Sequence, residues 1–329
     1  MCCLFGMIDV SRKFSAEEKN RILNILAIGC EVRGTDATGV AYNSRGKLRV
    51  YKRPVPAHQL RLRIPQDARV IMGHTRMTTQ GNEKINRNNH PFMSDTLNFA
   101  LAHNGVLYND RSLRRELKLP QTPIETDSYI AVQLIEQQKA LNFNSLRYMA
   151  EKVEGSFVFT LLDKQDNLHF VKGNNPMCLY HFPREGFYLY ASTKEILDTA
   201  LKAAQLSHLK HERIEMQDGE IVQLSADGTI SRSTFAMPQR LHTWYYSSYL
   251  PPRTKAKPVR SEYRQQLLSF GAEMGIAPAK LNYLDRIGIS DLDLENAILD
   301  DDFMLECLLA TGYYDEEDWY NERVAGYAW

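Results

Sequence analysis

The chain has 329 residues, 43% of them hydrophobic, enough to bury a substantial core in one large domain with room for a smaller one. Its 40 basic residues balance 40 acidic ones, so net charge gives no argument for nucleic acid or an anionic membrane as partner. No secretory leader pattern opens it, no apolar run approaches the ~18 residues of a membrane span, and Cys2, Cys3, Cys30, Cys178 and Cys307 are scattered and lack CxxC spacing; the expectation is a cytoplasmic protein with reduced thiols, no metal site and no cofactor.

The opening CLFGMIDV reads as a buried strand. Ser15 and Glu18, at capping-box spacing ahead of Ile22, Leu23, Ile25 and Leu26, predict a helix running to about Cys30. GVAYNSRGKLRVYKR reads as a hairpin about an Arg-Gly turn, and RVIMGHTR and LNFALAHNGVLY are further β-rich runs. Helices are expected from Thr126 to about Gln138 and from Ser145 to Val153. Strand-like runs follow at GSFVFTLLD, NLHFVKG, MCLYHF and GFYLYAS, then a capped helix at STKEILDTALKAA, a last run at GEIVQLS and an Asp227-Gly228 turn. Strands grouped with strands and helices with helices predict an α+β fold of layered helices and largely antiparallel sheets. Composition changes after about Phe235, which suggests a domain over 1–235, a proline- and base-rich linker over 236–260 containing PPRTKAKPVR, and a small helical, acidic appendage over 261–329. DLDLE at Asp291 to Glu295 lacks the third acid and the glycine of a calcium loop and reads as a helix start.

A thiol sits directly behind the initiator methionine in MCCLFG. One reading is packing, since free cysteine behaves as a small hydrophobe. The other is chemistry: removal of Met1 would put a nucleophilic sulfur and a free α-amine, of pKa about 7.7–8.0, on one residue. Three stretches, RGTDATG, GHTRMTTQG and HNGVLYND, joined by ETDSY, hold more polar residues and glycines at strand ends than folding needs. Singly, Gly39 and Gly81 read as turn glycines, His74 and His103 as core histidines, and Asp127 as a helix-start carboxylate. Together they match what a thiolate needs for amide chemistry on an amino acid. Asn104 and Gly105 can supply oxyanion donors, Arg76 a fork for an α-carboxylate, and Asp127 a counter-charge for an α-ammonium.

In order, MCCLFG, RGTDATG, GHTRMTTQG, NNHPF, LAHNG, ETDSY and EGSFVF resemble the motifs of class II glutamine amidotransferases, whose glutaminase domains are N-terminal nucleophile hydrolases, over roughly residues 2–235. The resemblance implies a four-layer αββα sandwich in which Cys2 attacks the glutamine side-chain amide, forms a γ-glutamyl thioester, releases ammonia and is freed by water. It implies Asn104 and Gly105 as the oxyanion hole, Arg76 with Thr79 at the α-carboxylate, Asp127 at the α-ammonium, His90 among the substrate-binding residues, and Arg33 beside the nucleophile, orienting it. Three positions depart from the family pattern: Cys3 stands for glycine, Met77 for tryptophan and Gln80 for a frequent histidine. The last two touch the lid that closes over glutamine. Cys3 should point to the opposite face of the strand from Cys2 and is read as packing.

The stretch after Arg260 is too short for the phosphosugar isomerase or phosphoribosyltransferase domains that consume ammonia in such proteins, and it has no SGGxDS-like or GxxxxGKS/T loop. The resemblance therefore suggests a free-standing glutaminase that takes glutamine and passes ammonia to a separate synthase chain. The acidic, aromatic tail, with Trp319, Tyr320, Tyr327 and Trp329, reads equally as a docking element for that chain or as packing. An amidase acting on another γ-glutamyl or acyl amide, and a catalytically silent binding module, stay open as alternatives.

Overall fold

The structure, a computed structural model, describes residues 2–94, 96–237, 262–289 and 291–299, together with 304, 305, 307, 308 and 313. The chain divides into two compact units, residues 1–238 and 239–329. In the first, a seven-stranded sheet has the order β11-β9-β10-β1-β4-β2-β3, from β1 (Cys3–Asp9), β2 (Ala37–Ser44), β3 (Lys47–Arg53), β4 (Val70–Arg76), β9 (Cys178–Phe182), β10 (Phe187–Ala191) and β11 (Glu212–Arg213). A six-stranded sheet has the order β13-β12-β8-β7-β6-β5, from β5 (Phe92–Met93), β6 (Phe99–Leu107), β7 (Gly155–Asp163), β8 (Leu168–Lys172), β12 (Glu220–Leu224) and β13 (Ile230–Thr234). Every pairing is antiparallel.

Alternation along β1 explains the layering. Cys3, Phe5 and Met7 face a cluster with Ile22, Leu23 and Leu26 of α1 (Ala16–Gly29) and Ile196, Leu197 and Leu201 of α5 (Lys194–Ala203). Leu4 and Ile8, with the opposite parity, pack between the sheets against Ala100, Val158, Phe170 and Val222. The outer face of the second sheet carries Phe99, Leu101, Phe157 and Phe159 against α3 (Tyr129–Gln137) and α4 (Phe143–Lys152). The result is helices, sheet, sheet, helices, as the resemblance implied.

The α1 capping box forms as read, with Ser15 Oγ accepting from Glu18 N–H at 3.2 Å and the Glu18 carboxylate accepting from Ser15 N–H at 2.8 Å. Helix α3 starts three residues later than expected, because Thr126, Asp127 and Ser128 form a turn. A short helix unmarked by periodicity, α2 (Asp110–Glu116), has just Leu113 as a buried apolar anchor.

The second unit contains α6 (Glu262–Glu273), α7 (Pro278–Ile287) and α8 (Asp291–Leu299), packed through Leu267, Leu281, Leu284, Leu294 and Ile298. DLDLE opens α8, as read. From residue 238 onward the expected linker over 236–260 lies outside the described residues, and so does nearly all of the acidic aromatic tail. Among the described residues no helix is long and apolar enough to cross a membrane.

At the far end of β1 from Cys2, Lys19 Nζ lies 3.2 Å from Asp9 Oδ2, both side chains almost fully buried, and donates to the carbonyls of Gln66 (3.0 Å) and Ala68 (2.8 Å). Removing one member strands the other charge in the core. Lys19→Met should therefore cost about 3–5 kcal/mol in denaturant unfolding, and a double variant with Asp9→Leu should recover part of that loss.

Candidate functional site

Cys2 is 8% exposed just ahead of β1, the strand flanked by β10 and β4. Its Sγ lies 3.4 Å from both the N–H and the C=O of Met77, the residue just past β4. Burial pushes the thiol up to about 11; the Met77 hydrogen bond and the Arg76 guanidinium pull it down, while the Asp127 carboxylate pushes it further up. Both charges of the candidate site thus lie close enough to act on the sulfur. Cys3 faces the helix layer, with its Sγ 2.9 Å from that of Cys30, so the two adjacent cysteines have different surroundings.

Arg33 Nε donates to the backbone carbonyl of Cys2 at 3.0 Å, so this residue reaches the main chain that carries the thiol. It stands in a short 3-10 turn, Cys30–Arg33, whose next residue, Gly34, lies against the end of β4. A Cβ there would come within 2.6 Å of Arg76 O and Met77 N, so the close approach, and not an unusual φ, requires glycine.

Arg76, the last residue of β4, is 2% exposed and has protein acceptors on two sides, Asn89 Oδ1 at 2.7 Å and Gln80 O at 2.6 Å. A guanidinium has five N–H donors, so these bonds fix its plane without exhausting it. Asp36 secures the segment that follows, its carboxylate accepting from Thr78 N–H at 2.7 Å and its own N–H donating to Arg76 O at 2.9 Å. Thr79 is exposed in this loop.

Asn104 is the last of six consecutive buried residues in β6, and Gly105 follows it. The Asn104 amide nitrogen lies 3.4 Å from Ser192 Oγ, which also accepts from Leu4 N–H at 2.9 Å, so one hydroxyl ties Asn104 to the strand carrying the thiol. Asn175 donates to Asn104 O at 2.8 Å, and Asn104 Oδ1 is buried without a partner among the described residues. Gly105 has φ 146°, a region closed to other residues, and a Cβ there would collide with Ser156 O.

Asp127 is 3% exposed; its carboxylate accepts from Leu107 N–H at 2.7 Å and from Ser128 Oγ at 3.2 Å. Ser128 Oγ in turn lies 2.8 Å from His103 Nδ1, and the carbonyl of His103 lies 3.0 Å from His74 Nε2. The His90 ring lies 4.2 Å from that of His74 and 4.4 Å from Phe92, and neither of its nitrogens has a partner among the described residues. Burial keeps all three imidazoles neutral, with His74 pushed down to about 3. His90 therefore sits in the wall behind Arg76 as an uncharged ring.

The structure brings Cys2, Arg33, Arg76, Asn104 and Asp127 into one neighbourhood, with Gly105 adjoining Asn104. It leaves Thr79 outside any described hydrogen bond and buries His90 among rings. Asp36, Asn89, Asn175 and Ser192 were not singled out. Asp36 and Asn89 lie inside motifs that were, RGTDATG and NNHPF, whereas Ser192 reads as a loop serine ahead of α5 and nothing local marks its contact 188 residues away. Among the described residues no three His, Cys, Asp or Glu side chains gather as a metal site.

A family model described as a glutamine amidotransferase domain matches residues 74–199. The chain is 30% identical over 238 residues to the glutamine-fructose-6-phosphate aminotransferase (isomerizing) of Listeria innocua, covering 69% of this chain and 36% of the relative. The enzyme of the same name from Halalkalibacterium halodurans is 28% identical over 233 residues, with the same two coverages. Relatives of this name are covered over 31% to 46% of their length. A solved structure of glutamine phosphoribosylpyrophosphate amidotransferase from B. subtilis superposes with a TM-score of 0.55 at 17% identity, over 84% of this chain and 59% of that one, a likeness of fold.

In the chain that retains Met1, alkylation of Cys2 by iodoacetamide should be slow at neutral pH. The rate should climb about tenfold per pH unit toward pH 11, since only the thiolate reacts. A mass-spectrometric rate profile with Cys2→Ala as blank reads this. A plateau near pH 8.5 would mean that the thiol is solvated.

Proposed function

Because the chain carries a class II glutamine amidotransferase domain, we propose that it hydrolyses the side-chain amide of glutamine with Cys2 as nucleophile once Met1 has been removed. The observation that supports this most is the convergence on one buried sulfur of a cation, Arg76, a carboxylate, Asp127, and an amide, Asn104, linked to its strand through Ser192. Two opposite charges match the two ends of a free α-amino acid.

In this reading the liberated α-amine of Cys2 takes the thiol proton, and the thiolate forms a bond to the amide carbon of glutamine. The oxyanion is received by the Asn104 side-chain N–H and the Gly105 backbone N–H, in a site where burial strengthens both. Collapse breaks the carbon–nitrogen bond; the proton held by the α-amine goes to the departing nitrogen, which leaves as ammonia. Water then opens the γ-glutamyl thioester to glutamate and restores the thiol. Arg76 holds the α-carboxylate with the donors that Asn89 and Gln80 leave over, and Thr79 closes on the same carboxylate as its loop folds down. Asp127 takes the α-ammonium while keeping the Leu107 bond. Arg33 fixes the Cys2 carbonyl and hence the direction of Cα–Sγ. His90, neutral and buried, shapes the wall behind the carboxylate site. Ammonia passes to a separate synthase chain, and the five cysteines, none of them in a disulfide, suit a reducing compartment, the cytoplasm.

The test is intact mass after incubation with 6-diazo-5-oxo-norleucine, beside a glutaminase assay. The expected result is loss of Met1 and a single adduct that Cys2→Ala abolishes. Asn104→Ala should lower kcat by about 10²–10³, and Asp127→Asn should act mainly through KM. Retained Met1 with neither label nor glutamate formation would overturn the reading in favour of a binding module. A second check concerns Ser192. Ser192→Ala leaves the buried Leu4 N–H without an acceptor and should cost about 1–3 kcal/mol, together with a fall in kcat that Ser192→Thr partly restores.

A further inference from the structure

The opposite end of the two sheets has chemistry that the thiol site does not use. Five loops converge there: the segment after β1, the β2–β3 turn, the segment before β4, the β7–β8 turn and the β12–β13 turn, around a cavity of about 400 Å³. Such a volume lies within the range of small-metabolite sites. At ~3.3 Å per residue along β1, this end is about 25 Å from Cys2.

Two partly buried bridges build its floor. Asn43 Nδ2 donates to Asp166 Oδ1 and to Asp163 O, each at 2.7 Å, joining the hairpin of one sheet to that of the other. Arg69 donates to the carbonyls of Val10 (3.3 Å) and Ala226 (2.5 Å), joining β1 to the β12–β13 turn, while its buried Nε has no acceptor among the described residues. The cavity therefore lies between tied elements rather than between loose ones.

The charge of its lining is one-sided. Arg12, Arg45, Arg69 and Lys164 line it, against the carboxylates of Asp67 and Asp166; Lys19, also in the lining, is already paired with Asp9. Both of these carboxylates are engaged by the fold. Asp67 accepts from Ser44 Oγ at 2.9 Å and Arg45 N–H at 2.8 Å, latching the β2–β3 turn, and Asp166 accepts from Asn43. Arg12 and Arg45 are near enough to Asp166 and Asp67, respectively, to feel their charge, yet neither they nor Lys164 make an ion pair among the described residues. Arg12 and Arg45 are held at φ 56° and 51°, in the left-handed region that non-glycine residues enter at a cost. Within the lining, four cations against two committed carboxylates leave a surplus that matches a phosphate group, which carries −1.5 to −2 near neutral pH, while the Asp163 and Asp227 carboxylates, close enough to act on Asp166 and Arg69, stand outside the lining. Guanidinium forks suit its oxygens, and Asn43 Oδ1, without a donor partner, is an acceptor left over at the floor.

We propose that this cavity binds a phosphate group, free or as the monoester of a small metabolite, at a site separate from the thiol and independent of glutamine hydrolysis. The ester would place its phosphate among Arg12, Arg45, Arg69 and Lys164 and its carbon skeleton in the remaining volume.

Calorimetric titration of the full chain with ribose 5-phosphate, inorganic phosphate and ribose tests this. The expected result is saturable binding of one or both phosphates, weakened by added salt, and none of ribose. Tighter binding of the ester than of phosphate identifies a metabolite as the source, and equal binding identifies the free ion; either supports the site. Arg12→Gln with Lys164→Gln, exposed side chains with no described fold contact, should weaken binding by about tenfold or more at an unchanged Tm. Cys2→Ala should bind as the parent does. No saturable binding, equal binding by the double variant, or loss of binding in Cys2→Ala would overturn the proposal.

Discussion

Strand β1 is buried on both faces from Cys3 to Asp9, under helices on one side and the second sheet on the other. A side chain at its end inherits that desolvation, and for a thiol desolvation favours the neutral form, which is why Cys2 is pushed up to about 11. The same dry surroundings strengthen whatever charge or dipole is aimed at the sulfur. A reactive cysteine placed here cannot rely on spontaneous ionisation. It needs a base in contact and donors fixed in advance. The α-amine that a processed terminus would supply is a base that costs no additional buried side chain.

The charged groups near the sulfur are each built into the framework as well as turned toward the site. Arg76 binds Asn89 and the Gln80 carbonyl, and Asp127 caps the Leu107 N–H at the end of β6. Holding a charge by protein partners before any ligand arrives lowers the reorganisation needed when a charged ligand binds. It also makes these residues poor targets for a clean dissection of binding from folding, since their loss loosens β4 or β6. Ser192 concentrates the same coupling in one hydroxyl, shared by Leu4 of β1 and Asn104 of β6.

What could be read from sequence was what local physics decides. The Ser15–Glu18 box, the Arg45-Gly46 turn and the opposite facing of Cys2 and Cys3 depend on residues within one turn or on strand parity, and all three are present. Helix α3 starts later than the sequence suggests because Asp127 looks like a helix-start carboxylate, whereas its Oδ2 accepts from the β6 backbone, a partner 20 residues away, and its Oδ1 from Ser128. Helix α2 escaped because DRSLRRE has a single apolar anchor and so no period to detect. Ser192 could not be found by spacing at all. Chemistry-bearing residues at strand ends are legible as a group; the links that hold them in register are not, because they join segments far apart in sequence.

The departures from the family pattern take on a physical meaning in this light. At position 77 the contact with the sulfur is made by backbone N–H and C=O, and at position 80 the bond to Arg76 is made by a backbone carbonyl. Replacing tryptophan and histidine there leaves both interactions available, since neither uses a side chain. What changes is what faces outward. Met77 is 51% exposed, and Gln80 turns its amide to the Glu125 carbonyl at 3.1 Å. A thioether on three rotatable bonds adapts to what covers it, whereas an indole imposes a shape. The constraint on the Cys2 sulfur is therefore kept by the main chain, and the freedom lies in the cover.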